Sequence, residues 1–209
     1  MAGPRSSNGT PPGSRRIGLL GGTFDPPHHG HLAAARTALG ALELDAVVLV
    51  VANDPWQKTA GGQVVTPAEV RLAMVRAAAD GMDRIEVDDL EIRRGGPSYT
   101  ADTVAKYAQQ GPDDQLFVLV GSDIAPGLHA WARPDEIRRL ATSVVMDRPG
   151  HIGERPPCGW DYVGLKGTFP DLTGTDLRAM VEAGGTAAEA VPEVVARLIE
   201  DHDLYETCR

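Results

Sequence analysis

Two cysteines, Cys158 and Cys208, are all that the chain contains, and they stand far apart. Without a CxxC pair there is neither a cysteine cage for zinc nor a disulfide framework, so both are expected to be free thiols. No apolar run reaches the ~18 residues of a membrane-spanning helix, and the N-terminus lacks the apolar core of a secretion signal. A cytoplasmic location is therefore expected. Positive charge is in deficit too: 20 Lys and Arg against 29 Asp and Glu leave a formal charge of −9. This excludes a broad attraction to nucleic acid or to an anionic membrane surface. It also requires any phosphate ligand to be gripped by a local cluster.

What is present is enough chain, 209 residues, for one core, which is comfortable up to roughly 250 residues. Residues 1–15, rich in Pro, Gly and Ser without apolar periodicity, read as a disordered tail, leaving 16–209 as a single domain. Ile17–Gly21 reads as a buried strand, His31–Leu42 as a helix and Ala46–Val51 as a second strand, which together make one βαβ unit. Thr66-Pro67-Ala68-Glu69 carries the marks of a helix start, with Thr66 as the cap and Glu69 three residues on. The pattern then predicts a helix over Ala68–Ala79, a strand over Arg84–Ile92 and a helix over Thr100–Gln110 that stops at Gly111. A strand over Gln115–Gly121, a helix over Pro134–Ala141 and a strand over Ser143–Asp147 follow. Residues 148–170 read as irregular, and helices at about 174–183 and 192–202 form a small C-terminal helical region within 171–209.

Strands alternating with helices predict an α/β, doubly wound fold: a mostly parallel sheet with helices on both faces. In such sheets ligands lie beyond the carboxyl ends of the strands, where the strand order reverses. That directs attention to the loops 21–30, 52–60, 91–100 and 121–131.

The first of these loops lies within GLLGGTFDPPHHGH, Gly18 to His31. Neither common glycine-rich phosphate fingerprint is present: GxxxxGK[ST] is missing, and Gly18-Leu19-Leu20-Gly21-Gly22 does not fit GxGxxG. There remain a strand, a tight Gly21-Gly22 turn, and His28 and His31 three apart on one face of a starting helix. A helix N-terminus presents free N–H groups and positive potential, so two imidazoles there make a compact site for phosphate oxygens. Two other uses stay open. Zinc needs three or four ligands where this loop has His28, His29 and His31, and a pair of capping imidazoles would serve structure alone. His29 should point off that face, and Asp25 fits a turn residue that stiffens the loop.

GGTFDPPHHGHL closely resembles the (H/T)xGH loop of the nucleotidyltransferase superfamily, in the form carried by bacterial nicotinate-nucleotide adenylyltransferases. HxGH alone is a weak signal, and the flanking GGTFDP makes it specific. The likeness continues in order through Pro55–Lys58 (PWQK), Arg93–Thr103 (RRGGPSYTADT), Gly121–Asp123 (GSD), the Trp131 region, Asp147–Gly150 (DRPG) and VPEVVARLIEDHDLY near the end.

The resemblance implies a Rossmann-like fold and, in NAD biosynthesis, adenylyl transfer from ATP to nicotinate mononucleotide, giving the deamido dinucleotide and pyrophosphate. Mg2+ would be the cofactor, bound through the ATP phosphates and not in a metal site of the protein. ATP and nicotinate mononucleotide would be the partners, with no nucleic acid and no membrane; self-association into a homo-oligomer stays open. By similarity, His31 would donate to the α-phosphate and His28 to neighbouring oxygens, while Gly22, Thr23 and Phe24 approach the nucleotides. Gly121 and Asp123 would lie against ATP, Asp123 orienting substrate or a Mg2+-bound water, or else capping a helix. Leu172–Arg178 corresponds to a late ISSTxIR-like motif that holds the triphosphate, with Thr175 and Arg178 matching and Thr173 available in place of the hydroxyl that Gly174 lacks. On the acceptor side, Lys58 would meet the mononucleotide phosphate, and the helix opening at Tyr99-Thr100 would point N–H groups at the nicotinate carboxylate. Trp131 would stack on the pyridine and Trp56 either stack or pack; Ala132 stands where relatives often carry an aromatic.

HIGE, His151–Glu154, looks like the HIGH element of class I tRNA synthetases. It follows Pro149-Gly150 in an irregular stretch of a chain too short for a tRNA-reading domain, and is set aside. Two other functions remain: a sister transferase with a changed acceptor or nucleotide (nicotinamide mononucleotide, another phosphate acceptor, CTP), and a non-catalytic nucleotide- or metal-binding regulator.

Overall fold

The computed structural model describes residues 13–206. Its centre is a six-stranded sheet with every neighbouring pair parallel. The strands are β1 (Arg16–Gly22), β2 (Ala46–Val51), β3 (Ile85–Asp88), β4 (Gln115–Gly121), β5 (Ala141–Met146) and β6 (Tyr162–Leu165), in the order β3-β2-β1-β4-β5-β6. Around them lie α1 (His29–Ala41), α2 (Trp56–Thr59), α3 (Ala68–Ala79), α4 (Leu90–Arg94), α5 (Thr100–Gln110), α6 (Pro134–Leu140), α7 (Gly174–Glu182) and α8 (Glu193–Asp201). A 3-10 turn, Ala125–Ala130, follows β4.

β2 is buried at every position, because a parallel strand covered on both faces has no wet side to show. Alternation deals its side chains to two layers. Val47, Leu49 and Val51 pack with Ala35 and Ala38 of α1 and with Leu72 and Val75 of α3. Val48 and Val50 pack with Ala101 and Val104 of α5 and with Ile137 of α6. A third cluster joins Met74 and Ala78 of α3 to Leu177 of α7 and to Val195 and Ile199 of α8, so the C-terminal helices are docked on the first half of the domain. From β1 the strand order runs one way through β2 and β3 and the other way through β4, β5 and β6. The loops after β1 and β4 therefore diverge and leave a crevice at their carboxyl ends.

The α/β, doubly wound reading holds, with the sheet wholly parallel. Three details differ. The strand expected over Arg84–Ile92 ends at Asp88, whose Oδ1 accepts the Leu90 N–H at 2.9 Å and turns the chain into α4. Thr66 does not cap α3: Pro67 holds that position and no side chain caps the helix. The stretch expected to be irregular contains β6. Cys158 is a free, exposed thiol. Cys208 and residues 1–12 of the expected tail lie outside the described residues, while Arg15 already donates its N–H to Asp114 at 2.7 Å. Among the described residues no helix is long and apolar enough to cross a membrane.

Candidate active site

A cleft of about 510 Å³ opens at the carboxyl ends of β1 and β4. Every residue to which the resemblance gave a catalytic or binding role lines it, drawn from the loops after β1, β2 and β4, the start of α5 and the segment entering α7. His29 does not. It is exposed, and its N–H bonds the Ala190 carbonyl at 2.9 Å.

The two cleft histidines are a built pair. Their rings stack at 3.7 Å, and Phe24 meets the His31 ring edge-on at 4.8 Å. Phe24 reaches it from a left-handed backbone, φ +51°, a conformation a bulky residue holds only when its surroundings compel it. His31 Nδ1 accepts the backbone N–H of His28 at 3.2 Å, which leaves the ring proton on Nε2. His28 is buried, and its Nδ1 has no hydrogen-bond partner among the described residues. Burial, then Arg148 and His29, lowers the His28 pKa to about 4. Burial, then His28, Arg148 and Lys58, holds His31 well below the ordinary histidine value. Both rings are therefore neutral at pH 7. Gly30 makes room for the pair: a Cβ there would lie 2.9 Å from His28 Nδ1.

Opposite them, Thr173 caps α7, accepting the Asp176 N–H at 3.1 Å and donating its hydroxyl to Asp176 Oδ2 at 2.6 Å. The Thr173 hydroxyl is thus engaged within the cap beside Gly174. Gly174 is a steric necessity, because a Cβ there would lie 2.7 Å from the Asp25 carbonyl oxygen. The same oxygen accepts Arg178 Nη1 at 2.6 Å, and Arg178 Nη2 donates to Thr175 Oγ1 at 3.3 Å. Asp123 is paired with Arg148 at 3.0 Å, and Arg148 also donates to the Leu172 carbonyl at 2.9 Å. Asp123 Oδ1 is buried without a hydrogen-bond partner among the described residues. Desolvation, then Arg178, lowers the Lys58 pKa from its ordinary value. Lys58, Arg148 and Arg178 thus make a cationic cleft around two neutral imidazoles in an acidic chain.

On the other side, Trp56 and Tyr99 face each other at 6.1 Å, and no side chain caps α5 at Tyr99. Trp131 lines the cleft while packing against the core beside α5 and α6.

Four residues of this arrangement were not picked out from the sequence. Arg148 lay inside the matched DRPG and Tyr205 inside the C-terminal match, so both were within reach. Glu91, buried, accepts the Thr103 hydroxyl at 2.5 Å beneath the start of α5. Arg71, 1% exposed, donates to three backbone carbonyls: Thr66 at 2.7 Å, Thr23 at 2.7 Å and Asn53 at 3.0 Å. It thereby ties together the loops after β1 and β2 and the entry to α3.

Residues 19–183 match the family model described as cytidylyltransferase-like. The chain is 38% identical over 191 residues, 91% of its length and 97% of the relative's, to a protein of Shouchella clausii named "Probable nicotinate-nucleotide adenylyltransferase". A protein of the same name from Gemmatimonas aurantiaca is 39% identical over 197 residues, covering 91% of this chain and 92% of its own. Among solved structures, the Plasmodium falciparum nicotinic acid mononucleotide adenylyltransferase complexed with NaAD superposes with a TM-score of 0.76 at 14% identity, over 91% of this chain and 97% of that one. At that identity the likeness concerns the fold.

Proposed function

The chain belongs to the nicotinate-nucleotide adenylyltransferase family of cytidylyltransferase-like proteins, and from that premise we propose that it transfers AMP from ATP to nicotinate mononucleotide, releasing pyrophosphate and the deamido dinucleotide. The observation that carries the reading is the pair of neutral, stacked imidazoles at the start of α1, with His28 Nδ1 buried and unpartnered.

An acceptor phosphate oxygen attacks the α-phosphorus in line and pyrophosphate leaves, so no protein nucleophile or general base is needed. The protein's work is to position two phosphates and to stabilise charge at the reacting one. His31 Nε2–H donates to the α-phosphate and His28 to an adjacent oxygen; one such donor is worth ~3–4 kcal/mol in the transition state. Arg178 and the N–H groups of Gly174 and Thr175 hold the β- and γ-phosphates, and Arg148 adds a second guanidinium. Gly22, Thr23, Phe24 and Gly121 let the nucleotide approach the backbone. Lys58 takes the mononucleotide phosphate, Trp131 and Trp56 bracket the pyridine, and the open N-terminus of α5 at Tyr99 and Thr100 takes the nicotinate carboxylate.

Mg2+ would be carried by the nucleotide phosphates; among the described residues no group of three or more His, Cys, Asp or Glu is arranged to hold a metal. The orphaned, buried Asp123 Oδ1 is the protein oxygen that fits Mg2+ or its water. Bound there, the ion would spread the phosphate charge. A cytoplasmic location goes with this reading.

The experiment is pyrophosphate release with ATP and Mg2+, comparing nicotinate with nicotinamide mononucleotide. The acid form should be preferred at least ~10-fold in kcat/KM, ~1.4 kcal/mol in transition-state binding, because free N–H donors at a helix start favour a carboxylate over an amide. Equal rates sink the carboxylate argument. Turnover only with pantetheine phosphate or with CTP reassigns the acceptor or the nucleotide.

A further inference from the structure

The Tyr205 hydroxyl donates to Asp25 Oδ1 at 2.7 Å across a separation of 180 residues. Asp25 is 4% exposed, and a buried carboxylate must have its oxygens satisfied. Its Oδ2 accepts the Thr66 N–H at 3.1 Å, so the carboxylate is held at both ends. The carbonyl of the same residue then faces α7. It accepts Arg178 Nη1 at 2.6 Å and stands where any side chain at position 174 would begin. Asp25 is thus the joint between the histidine loop and the helix that carries the triphosphate residues, and Tyr205 is the side chain that fixes the joint from the C-terminal end.

We propose that Tyr205 is a positioning residue for ATP: its hydroxyl fixes Asp25, whose carbonyl sets Arg178 and the start of α7 at working distance from His28 and His31. The proposal rests on the adenylyl-transfer reading for the role of Arg178. Burial and the facing carboxylate push the phenol up from its ordinary value, so the hydroxyl keeps its proton and keeps donating at neutral pH. Tyr205 touches no substrate in this scheme and acts only through Asp25.

The test is a double-mutant cycle of Tyr205→Phe with Arg178→Ala, read as kcat/KM for ATP. A residue acting through Arg178 loses its effect once the guanidinium is gone, whereas one that only stabilises the fold acts equally in both backgrounds. Tyr205→Phe should lower kcat/KM for ATP about tenfold in the wild-type background and less than twofold in the Arg178→Ala background, with circular dichroism unchanged. Equal factors in the two backgrounds, or a change below about twofold in the wild type, overturn the proposal. If the wild-type protein releases no pyrophosphate, the functional reading has failed by itself. The same cycle is then read on ATP affinity by calorimetry, with the same two outcomes for Tyr205.

Discussion

The backbone N–H of His28 is bonded to Nδ1 of His31 at 3.2 Å, so the first histidine of the pair fixes which nitrogen of the second carries the proton. The ring that the loop thereby prepares is a neutral donor through Nε2. His31→Ala should lower kcat at least ~10²-fold with the fold intact, since a transition-state donor is lost from an open cleft. His29→Ala, on the exposed side, should leave turnover near normal. A His31→Ala enzyme with ordinary kcat would remove the imidazole from the chemistry.

The depressed His28 pKa has a signature in stability. An unfolded histidine takes up its proton near pH 6.5, while the folded one resists it down to about 4. Below pH 6.5 the unfolded chain therefore binds the extra proton, and stability falls as the pH drops through that window; above it, this residue contributes no slope. The full span is worth roughly 3 kcal/mol. Urea unfolding between pH 7 and pH 4 should show a steeper loss for the wild type than for His28→Asn, and parallel curves would contradict the burial argument.

Gly174 is where the chain departs from the motif it otherwise matches. Restoring the serine should not help: with the Asp25 oxygen 2.7 Å from the incoming Cβ, Gly174→Ser must push α7 off the histidine loop. The expected result is a kcat/KM for ATP at least ~5-fold lower, about 1 kcal/mol of transition-state binding. An unchanged or improved value would show that the helix start has room to spare.

Arg178→Ala should raise the KM for ATP more than that for the acceptor, because a planar guanidinium at a helix start suits triphosphate oxygens. Both KM values need measuring. An effect confined to the acceptor would mean that the stretch entering α7 has been assigned to the wrong substrate.

Much of this molecule is readable in its sequence, for identifiable reasons. Ala46–Val51 could be read directly, since it fills an all-apolar run closed by Asp45 on one side and, after Ala52, by Asn53 on the other, and such a run has few other fates. β6 went unread because three of its four residues are exposed and only Leu165 is buried. Leu90 and Ile92 carried the apolar character past β3, although out of phase with Ile85 and Val87, while the Asp88 side chain that ends the strand gave no periodic sign. The cleft residues assigned to substrates were reached through their motifs, whereas Glu91 and Arg148, which also line the cleft, were not. Nor were those that hold the motifs in place: Arg71 in AEVRLAMVRAAA looks like any solvated arginine on a helix, and only three-dimensional packing reveals the three carbonyls it serves.

The cationic cleft sits in a chain of net charge −9, and the two act on different length scales. A nucleotide is screened from the protein until it comes within about a Debye length of the surface, ~10 Å at 0.1 M salt; there it first meets the net negative charge, and it feels Lys58, Arg148 and Arg178 only at the mouth. Added salt should therefore speed its arrival by screening the far field, while hastening its departure by weakening the grip inside. Affinity and encounter rate would then respond to ionic strength in opposite directions, the reverse of a protein that draws its anionic substrate in from afar.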